Sequence, residues 1–250
     1  MSKDVQDFFS RHAAGYTASQ GHRAGQDLAV LTELVQPQPD DRLVDIAAGT
    51  GHTAFHLRPM IAEAVLVDIT QAMLDEATRL ATERGLAVTT LLADAAAVPL
   101  PDASFTIATC RRAAHHFEDI PGFLRETRRL LAPGGRLAIS DMTADDPAVD
   151  LLNRIERVRD SSHRSALSPK GWRAAVEAAG FAVQAVETRS EDLSLTRWLS
   201  PIPPGEVELA SIESVLRAAP AAEREGLHMH DESDGLHFVK SWAVLVAVRP

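Results

Sequence analysis

The chain has 250 residues, 45% hydrophobic and 24% charged, enough for one substantial α/β domain with a well-buried core. A formal net charge of −10 disfavours nucleic acid, whose phosphates require a surplus of Lys and Arg, and it disfavours anionic membrane surfaces too. Cys110 is the single cysteine, which excludes an internal disulfide framework and any thiolate-rich zinc or iron–sulfur site. The opening residues MSKDVQDFFSRHAAGY lack the apolar stretch of a signal peptide. No run approaches about 18 uninterrupted apolar residues either, so the expected compartment is the cytoplasm.

Apolar runs with strand character stand at 42–47, 63–68, 87–92, 105–110 and 135–140, separated by helical patterns. Between the second and third runs, Ile69, Ala72, Met73, Ala77, Leu80 and Ala81 recur at helical spacing. Thr70 stands at the N-cap position of that helix and Gly85 at its stop. Between the fourth and fifth runs, Ile120, Phe123, Leu124, Thr127, Leu130 and Leu131 mark another helix face. The APGG segment, Ala132 to Gly135, ends it, because proline cannot continue a helix and glycine tolerates the left-handed cap.

Beyond Asp141 the pattern predicts helices at about 147–160 and 169–179, and a strand at 181–188. A Pro-rich break over Ser200 to Glu206, a helix near 206–218 and a last strand at 237–248 follow. The stretch 190–236 is the least regular and is where substrate contacts are expected. Strands apolar on both faces and separated by helices imply a mostly parallel, doubly wound sheet, with ligands at the carboxyl ends of its strands.

The segment GTGHTA, Gly49 to Ala54, fits the glycine pattern of a nucleotide-binding strand–loop–helix unit. Two cofactors satisfy that pattern, a dinucleotide and S-adenosylmethionine. Asp45 separates them. A pyrophosphate would be repelled by a carboxylate at the mouth of the turn, whereas S-adenosylmethionine carries a sulfonium, an ammonium and a single carboxylate. Asp68 and Asp94 end the next two strands and suit ribose hydroxyls and an adenine amino group. Three successive strand ends therefore each present an aspartate.

The segments LVDIAAGTGHTA, VLVDITQAML, LLADAAAVPLPDASFTIATCRRAAHHFED and ETRRLLAPGGRLAISDM resemble the successive motifs of class I S-adenosylmethionine-dependent methyltransferases. The similarity is to the ubiquinone/menaquinone-biosynthesis type and its small-molecule relatives, and it is strong over 42–142. The resemblance implies one methyltransferase domain over 1–250 with a Rossmann-like, mostly parallel seven-stranded sheet whose last strand is antiparallel. Residues 1–36 would form a helical lid, 37–142 the cofactor-binding core, and 143–250 the substrate-side helices and last two strands.

The resemblance also implies that Asp45, Ala47, Gly49 and Gly51 hold the methionine end of S-adenosylmethionine. Asp68 would bind the ribose, Ile69 and Met73 would flank the adenine, and Asp94 with Ala95 would meet its edge. The Cys110–Arg111 backbone would close the sulfonium side, with Tyr16 reaching in from the lid. Ala48 departs from the usual Cys or Gly but is small enough for the loop to pass.

His115 and His116, in RRAAHHFED, follow the fourth strand, where a base of near-neutral pKa would serve a hydroxyl or acidic carbon acceptor. Asp141 after the fifth strand is the third candidate catalytic group. For each of the three, plain packing or hydrogen bonding is the competing role. Arg111 and Arg112 fit an anionic substrate group, and Arg112 equally fits a pair with a surface acid.

His228, His230 and His237 invite a metal, but their spacing is loose and no helix sets two on one face, so none is expected and a polar loop is preferred. Trp172 and Trp242 read as core, and Trp198 and Met229 as pocket or core. The expected partner is a small-molecule methyl acceptor, with neither nucleic acid nor membrane; the oligomeric state is open, a homodimer being one expectation. A dinucleotide-dependent oxidoreductase, or a fold relative that binds S-adenosylmethionine without methyl transfer, are the alternatives.

Overall fold

A computed structural model describes residues 25–199 and 206–250. Tyr16, residues 1–24 of the expected lid and most of the Pro-rich break lie outside the described residues. The first strands are β1 (Arg42–Ile46), β2 (Glu63–Asp68), β3 (Thr89–Leu92), β4 (Phe105–Arg111) and β5 (Leu131–Thr143). Their pairings β3–β2–β1–β4–β5 are all parallel. Two long strands, β6 (Ala182–Ser194) and β8 (Gly235–Val248), complete the sheet, with β8 antiparallel to both β5 and β6. The strand order reverses between β1 and β4, where crossovers leave on opposite sides and open a crevice.

Alternation along each buried strand divides the core into two layers. Val44 and Ile46 join one cluster with Val65, Cys110, Leu137, Ile139 and Trp172. Leu43 joins the other with Leu66, Ile107, Ala138 and Val246. The first layer is covered by α4 (Ile120–Leu130) and α6 (Pro169–Ala178), the second by α1 (Gln26–Val35), α2 (His52–Leu57) and α3 (Gln71–Glu83). The α3 helix begins after Thr70 and stops before Gly85, which has φ +63°, as its cap residues predict.

A third apolar cluster lies to one side. It joins α5 (Ala148–Arg159), α7 (Leu195–Leu199), α8 (Glu206–Ala218) and the first half of β8 through Leu151, Ile155, Trp198 and Phe238. Trp198 meets Phe238 edge-on at 5.3 Å, so of its two expected roles it fills that of core. Met229 is partly buried against the same cluster.

Four expectations need correction. Among the described residues the sheet has eight strands rather than seven, because β7 (His230–Glu232) pairs with the start of β8 as a short hairpin. The strand expected at 181–188 continues to Ser194, its exposed outer face being too polar to show an apolar rhythm. Consequently 190–236 is not an irregular loop: it holds the end of β6, then α7, α8, α9 (Ala221–Gly226) and β7. Finally, the described part of the expected lid is a core helix, with Leu31 and Val35 fully buried beside β5 and β8.

The α1 helix is also held by charge. Asp27 receives a bidentate pair from Arg111, at 2.7 and 2.9 Å, and a second from Arg112, at 3.2 and 2.9 Å. Ser140 adds a hydroxyl donor at 3.0 Å. Burial opposes the charge on Asp27, yet the two guanidinium groups hold its carboxyl well below the usual carboxylate range. Asp27→Ala removes the shared counter-ion of two largely buried arginines. It should cost about 3–5 kcal/mol in denaturant unfolding, with Asp27→Asn intermediate.

Candidate active site

The turn after β1 runs through alternating left-handed residues: Ala47 at φ +54°, Gly49 at +54° and Gly51 at +87°. Strain therefore falls on Ala47, not on the neighbouring Ala48. At Gly51 a Cβ would lie 2.7 Å from the Phe55 ring and 2.8 Å from Leu66, so no other residue fits without displacing the core. At Gly49 a Cβ would meet nothing within 4 Å, which leaves that side of the turn open.

Asp45 lies under this turn and is 1% exposed. Its Oδ1 accepts the Thr109 hydroxyl at 2.6 Å, whereas its Oδ2 is buried with no hydrogen-bond partner. Burial pushes its carboxyl up to about 7. Asp68 accepts the Gly49 N–H on Oδ2 and the Thr70 N–H on Oδ1, both at 2.8 Å, so it braces the turn from the next strand. Burial raises its pKa as well. Asp94 follows β3 and accepts the Ala96 N–H at 2.9 Å. Because β3, β2 and β1 are adjacent and parallel, the three aspartates stand side by side at one edge of the sheet.

Met73 and Ala95 are buried and Ile69 is partly so. Cys110 is fully buried and burial pushes its thiol well up, which makes it inert. The Arg111 and Arg112 guanidinium groups both pair with Asp27, and Arg112 also borders the cavity described below. Arg112 also stacks 4.7 Å from the Trp242 ring.

The histidine segment forms a short helical turn, Ala114–His116, after β4. Asp141 engages His115 twice, accepting its backbone N–H at 2.8 Å and facing its Nδ1 at 2.5 Å. A carboxylate facing Nδ1 makes that nitrogen the donor, which leaves the Nε2 lone pair of the neutral ring free. Asp141 is itself anchored by the Met142 N–H at 2.8 Å.

His116 stacks 4.0 Å from His115 and turns its Nδ1 to the Ser162 carbonyl at 3.2 Å; burial drives its pKa well down. It is a neutral neighbour of His115. His163 joins the group at 5.6 Å from His115 and is lowered to about 4 by burial.

These groups border a cavity of about 100 Å³ lined by Arg112, His115, His116, Asp141, Met142 and Trp242 on the sheet side. Glu156, Arg159, Asp160 and Lys240 close the other side. Glu156 pairs with Arg159 at 3.0 Å and with Lys240 at 3.3 Å. Burial works against the Glu156 charge, but the two cations bring its pKa down to about 2. Burial lowers the pKa of Lys240 in turn.

None of Asp27, Glu156, Arg159, His163 or Lys240 was expected from the sequence, and Trp242 lines the cavity rather than the core. One signal was present. Phe238, Lys240 and Trp242 share a strand face by period two, so a lysine stood on an inward-facing position.

Residues 44–139 match the family model described as a methyltransferase domain. The uncharacterised methyltransferase YcgJ of Bacillus subtilis is 34% identical over 194 residues, spanning 76% of this chain and 77% of that protein. The crystal structure of YcgJ superposes with a TM-score of 0.82 at 28% identity, covering 90% of this chain and 98% of the other. A demethylmenaquinone methyltransferase of Thermus thermophilus is 40% identical over 109 residues, 43% of this chain and 50% of that one. With three strand-end aspartates around a glycine turn and this degree of kinship, the chain belongs to the class I methyltransferase family.

Proposed function

We propose that the chain transfers a methyl group from S-adenosylmethionine to an oxygen or carbon atom of a small molecule, with His115 as general base. The observation that carries the cofactor is Asp45 Oδ2, a buried carboxylate oxygen without a partner beneath an open glycine turn. Such an oxygen favours a cationic ligand and repels a diphosphate. When bound, the cofactor supplies a methyl group already activated on a sulfonium.

In this reading Asp45 takes the ammonium of the cofactor, and Ala47, Gly49 and Gly51 let the methionine end lie against the turn. Asp68, braced by donors of Gly49, Ile69 and Thr70, would accept from the ribose hydroxyls. Ile69 and Met73 would flank the adenine, Asp94 and Ala95 would meet its edge, and the backbone of Cys110 and Arg111 would close the sulfonium side.

The acceptor side follows from charge. Arg112, Arg159 and Lys240 face Asp141, Glu156 and Asp160 around the cavity, so the chamber is balanced and suits a neutral hydroxyl rather than an anion. His115 Nε2 takes the hydroxyl proton, and Asp141 stabilises the imidazolium that results. The relatives named demethylmenaquinone methyltransferases support a quinone-type ring acceptor, which in its reduced quinol form carries a hydroxyl whose loss of a proton makes oxygen or an adjacent carbon nucleophilic. The cavity is small, so it holds the reacting edge of the acceptor and excludes bulk water. Alignment of that edge is worth roughly 7–11 kcal/mol.

A thermal-shift comparison tests the cofactor. S-adenosylhomocysteine at about 100 times its dissociation constant should stabilise the chain by about 2.7 kcal/mol, and Asp68→Ala should abolish the response. A shift with NAD and none with S-adenosylhomocysteine would reverse the reading.

For the base, His115→Ala should slow transfer of labelled methyl to a phenolic or naphthoquinol acceptor by about 10²–10⁴-fold while leaving the thermal response intact. An equal rate in the variant would remove His115 from the chemistry.

Asp45 gives a third test. Its folded pKa, about 7, lies above the ordinary 3.8, so its contribution to the ligand-free fold is fully present below pH 3.8 and is lost as pH rises to 7. The full loss is about 4 kcal/mol. Asp45→Asn mimics the neutral acid and should raise the ligand-free melting temperature at pH 8 while eliminating the response to S-adenosylhomocysteine. Cofactor affinity of the unaltered chain should climb up to about tenfold per pH unit below pH 7, because binding requires the ionised carboxylate.

A further inference from the structure

At the far end of the β6–β8 ribbon, three strands bring three side chains to one face. Asp192 lies on β6, His237 on β8 and His230 on β7, with His230 directly opposite His237 in the hairpin register. One ligand atom from each lies within 4.8 Å of the others. The His230 and Asp192 side chains are 39% and 49% exposed, so ions in solution reach the cluster.

The orientation of the two rings is informative. His230 turns Nδ1 to the His228 carbonyl at 2.9 Å, and a carbonyl can only accept. His237 turns Nε2 to the Asp234 carboxylate at 2.8 Å, which also accepts. Each ring therefore donates outward and, when neutral, presents its other nitrogen as a lone pair to the space beside Asp192. Metal-binding histidines are held in this way, by a carbonyl or carboxylate on the outer N–H.

The inward distances are 3.3 Å from His230 Nε2 to Asp192 Oδ2 and 3.5 Å from His237 Nδ1 to Asp192 Oδ1. A direct charge-assisted bond would be nearer about 2.7–2.9 Å. Two ligand atoms at about 2.0–2.1 Å from a tetrahedral ion stand about 3.3 Å apart, close to the 3.3 and 3.5 Å between the two rings and the two Asp192 oxygens. Glu232 Oε1 lies 3.7 Å from the same His230 nitrogen but outside the group of three, so solvent would fill the fourth position.

We propose that Asp192, His230 and His237 form a binding site for a divalent transition-metal ion of the zinc class, with Asp234 and the His228 carbonyl orienting the rings. Imidazole and carboxylate donors without a thiolate suit such an ion. Binding would tie β7, β8 and β6 together at the end of the ribbon that carries Lys240 and Trp242 to the cavity. The site lies on the opposite face of β8 from those two residues and takes no part in methyl transfer.

The test uses the full chain, free of any affinity tag and stripped with a chelator. Zn²⁺ titration by calorimetry should show one ion per chain, and Co²⁺ should give the intense visible absorption of tetrahedral coordination. His237→Ala and Asp192→Asn should each abolish both signals, and Asp234→Asn should weaken affinity by about 10–100-fold. His228→Ala, which keeps the carbonyl, should change nothing. Absence of heat and of cobalt absorption in the unaltered chain would overturn the site, as would one-to-one binding that survives in a His230→Ala/His237→Ala double variant. An effect of Asp192→Asn on melting in chelator, without metal binding by the unaltered chain, would identify the cluster as protonated ion pairs only. Neither measurement reads methyl transfer, so this proposal and the enzymatic one can fail separately.

Discussion

Asp45 is inserted between two parallel neighbours at the end of β1, opposite Thr109 on one side and Leu66 on the other. Only one of its oxygens has a partner. A carboxylate in that position lowers the stability of the ligand-free fold, because its charge is desolvated and half its hydrogen-bonding capacity is unmet. The surrounding sheet over-determines the position: β1 is buried along nearly its whole length, and the turn beyond it is locked where Gly51 fits against Phe55 and Leu66. The rest of the cofactor side follows from that placement. Asp68 braces the same turn from β2, and Asp94 extends the row of carboxylates to β3.

The acceptor side works by a different balance. Its charged groups are buried but paired, with Glu156 between Lys240 and Arg159, and Asp141 against His115. Paired charges in a low-dielectric chamber are stiff, because moving one leaves its partner uncompensated. The third apolar cluster supplies the wall behind them, with Arg159 packed 4.9 Å from the Trp198 ring. His116 and His163, both kept neutral by burial, add shape around His115 without adding charge. His115 is thus the ring whose tautomer a carboxylate fixes, and it borders the cavity. The Asp27 clamp gives the same region a second support, since it ties α1 to the ends of β4 and β5.

Much of this was readable along the chain. The five parallel strands, α3 with its caps, the helix before APGG and the row of Asp45, Asp68 and Asp94 all depend on local signals. These are apolar runs, helical periodicity and turn residues within a few positions of one another. Asp141 and His115 were also singled out, each for its place after a strand. That they face one another at 2.5 Å is a fact of the β4–β5 pairing, across 26 residues of chain.

Where long-range pairing decides, local pattern was silent or misleading. The end of β6 has a polar exposed face and looks like loop until β8 pairs with it. His230 and His237 have no helical spacing, yet a hairpin sets them opposite each other and brings Asp192 alongside. Arg111 and Arg112 read as substrate contacts, and only the fold shows that both pair with Asp27, 84 and 85 residues away. Periodicity and turn chemistry act over a few residues, so they suffice for the sheet, its crossovers and the carboxylates at its strand ends. The partner of a buried charge is whatever the folded chain brings within a few ångströms, and that depends on register and packing between segments no local rule connects.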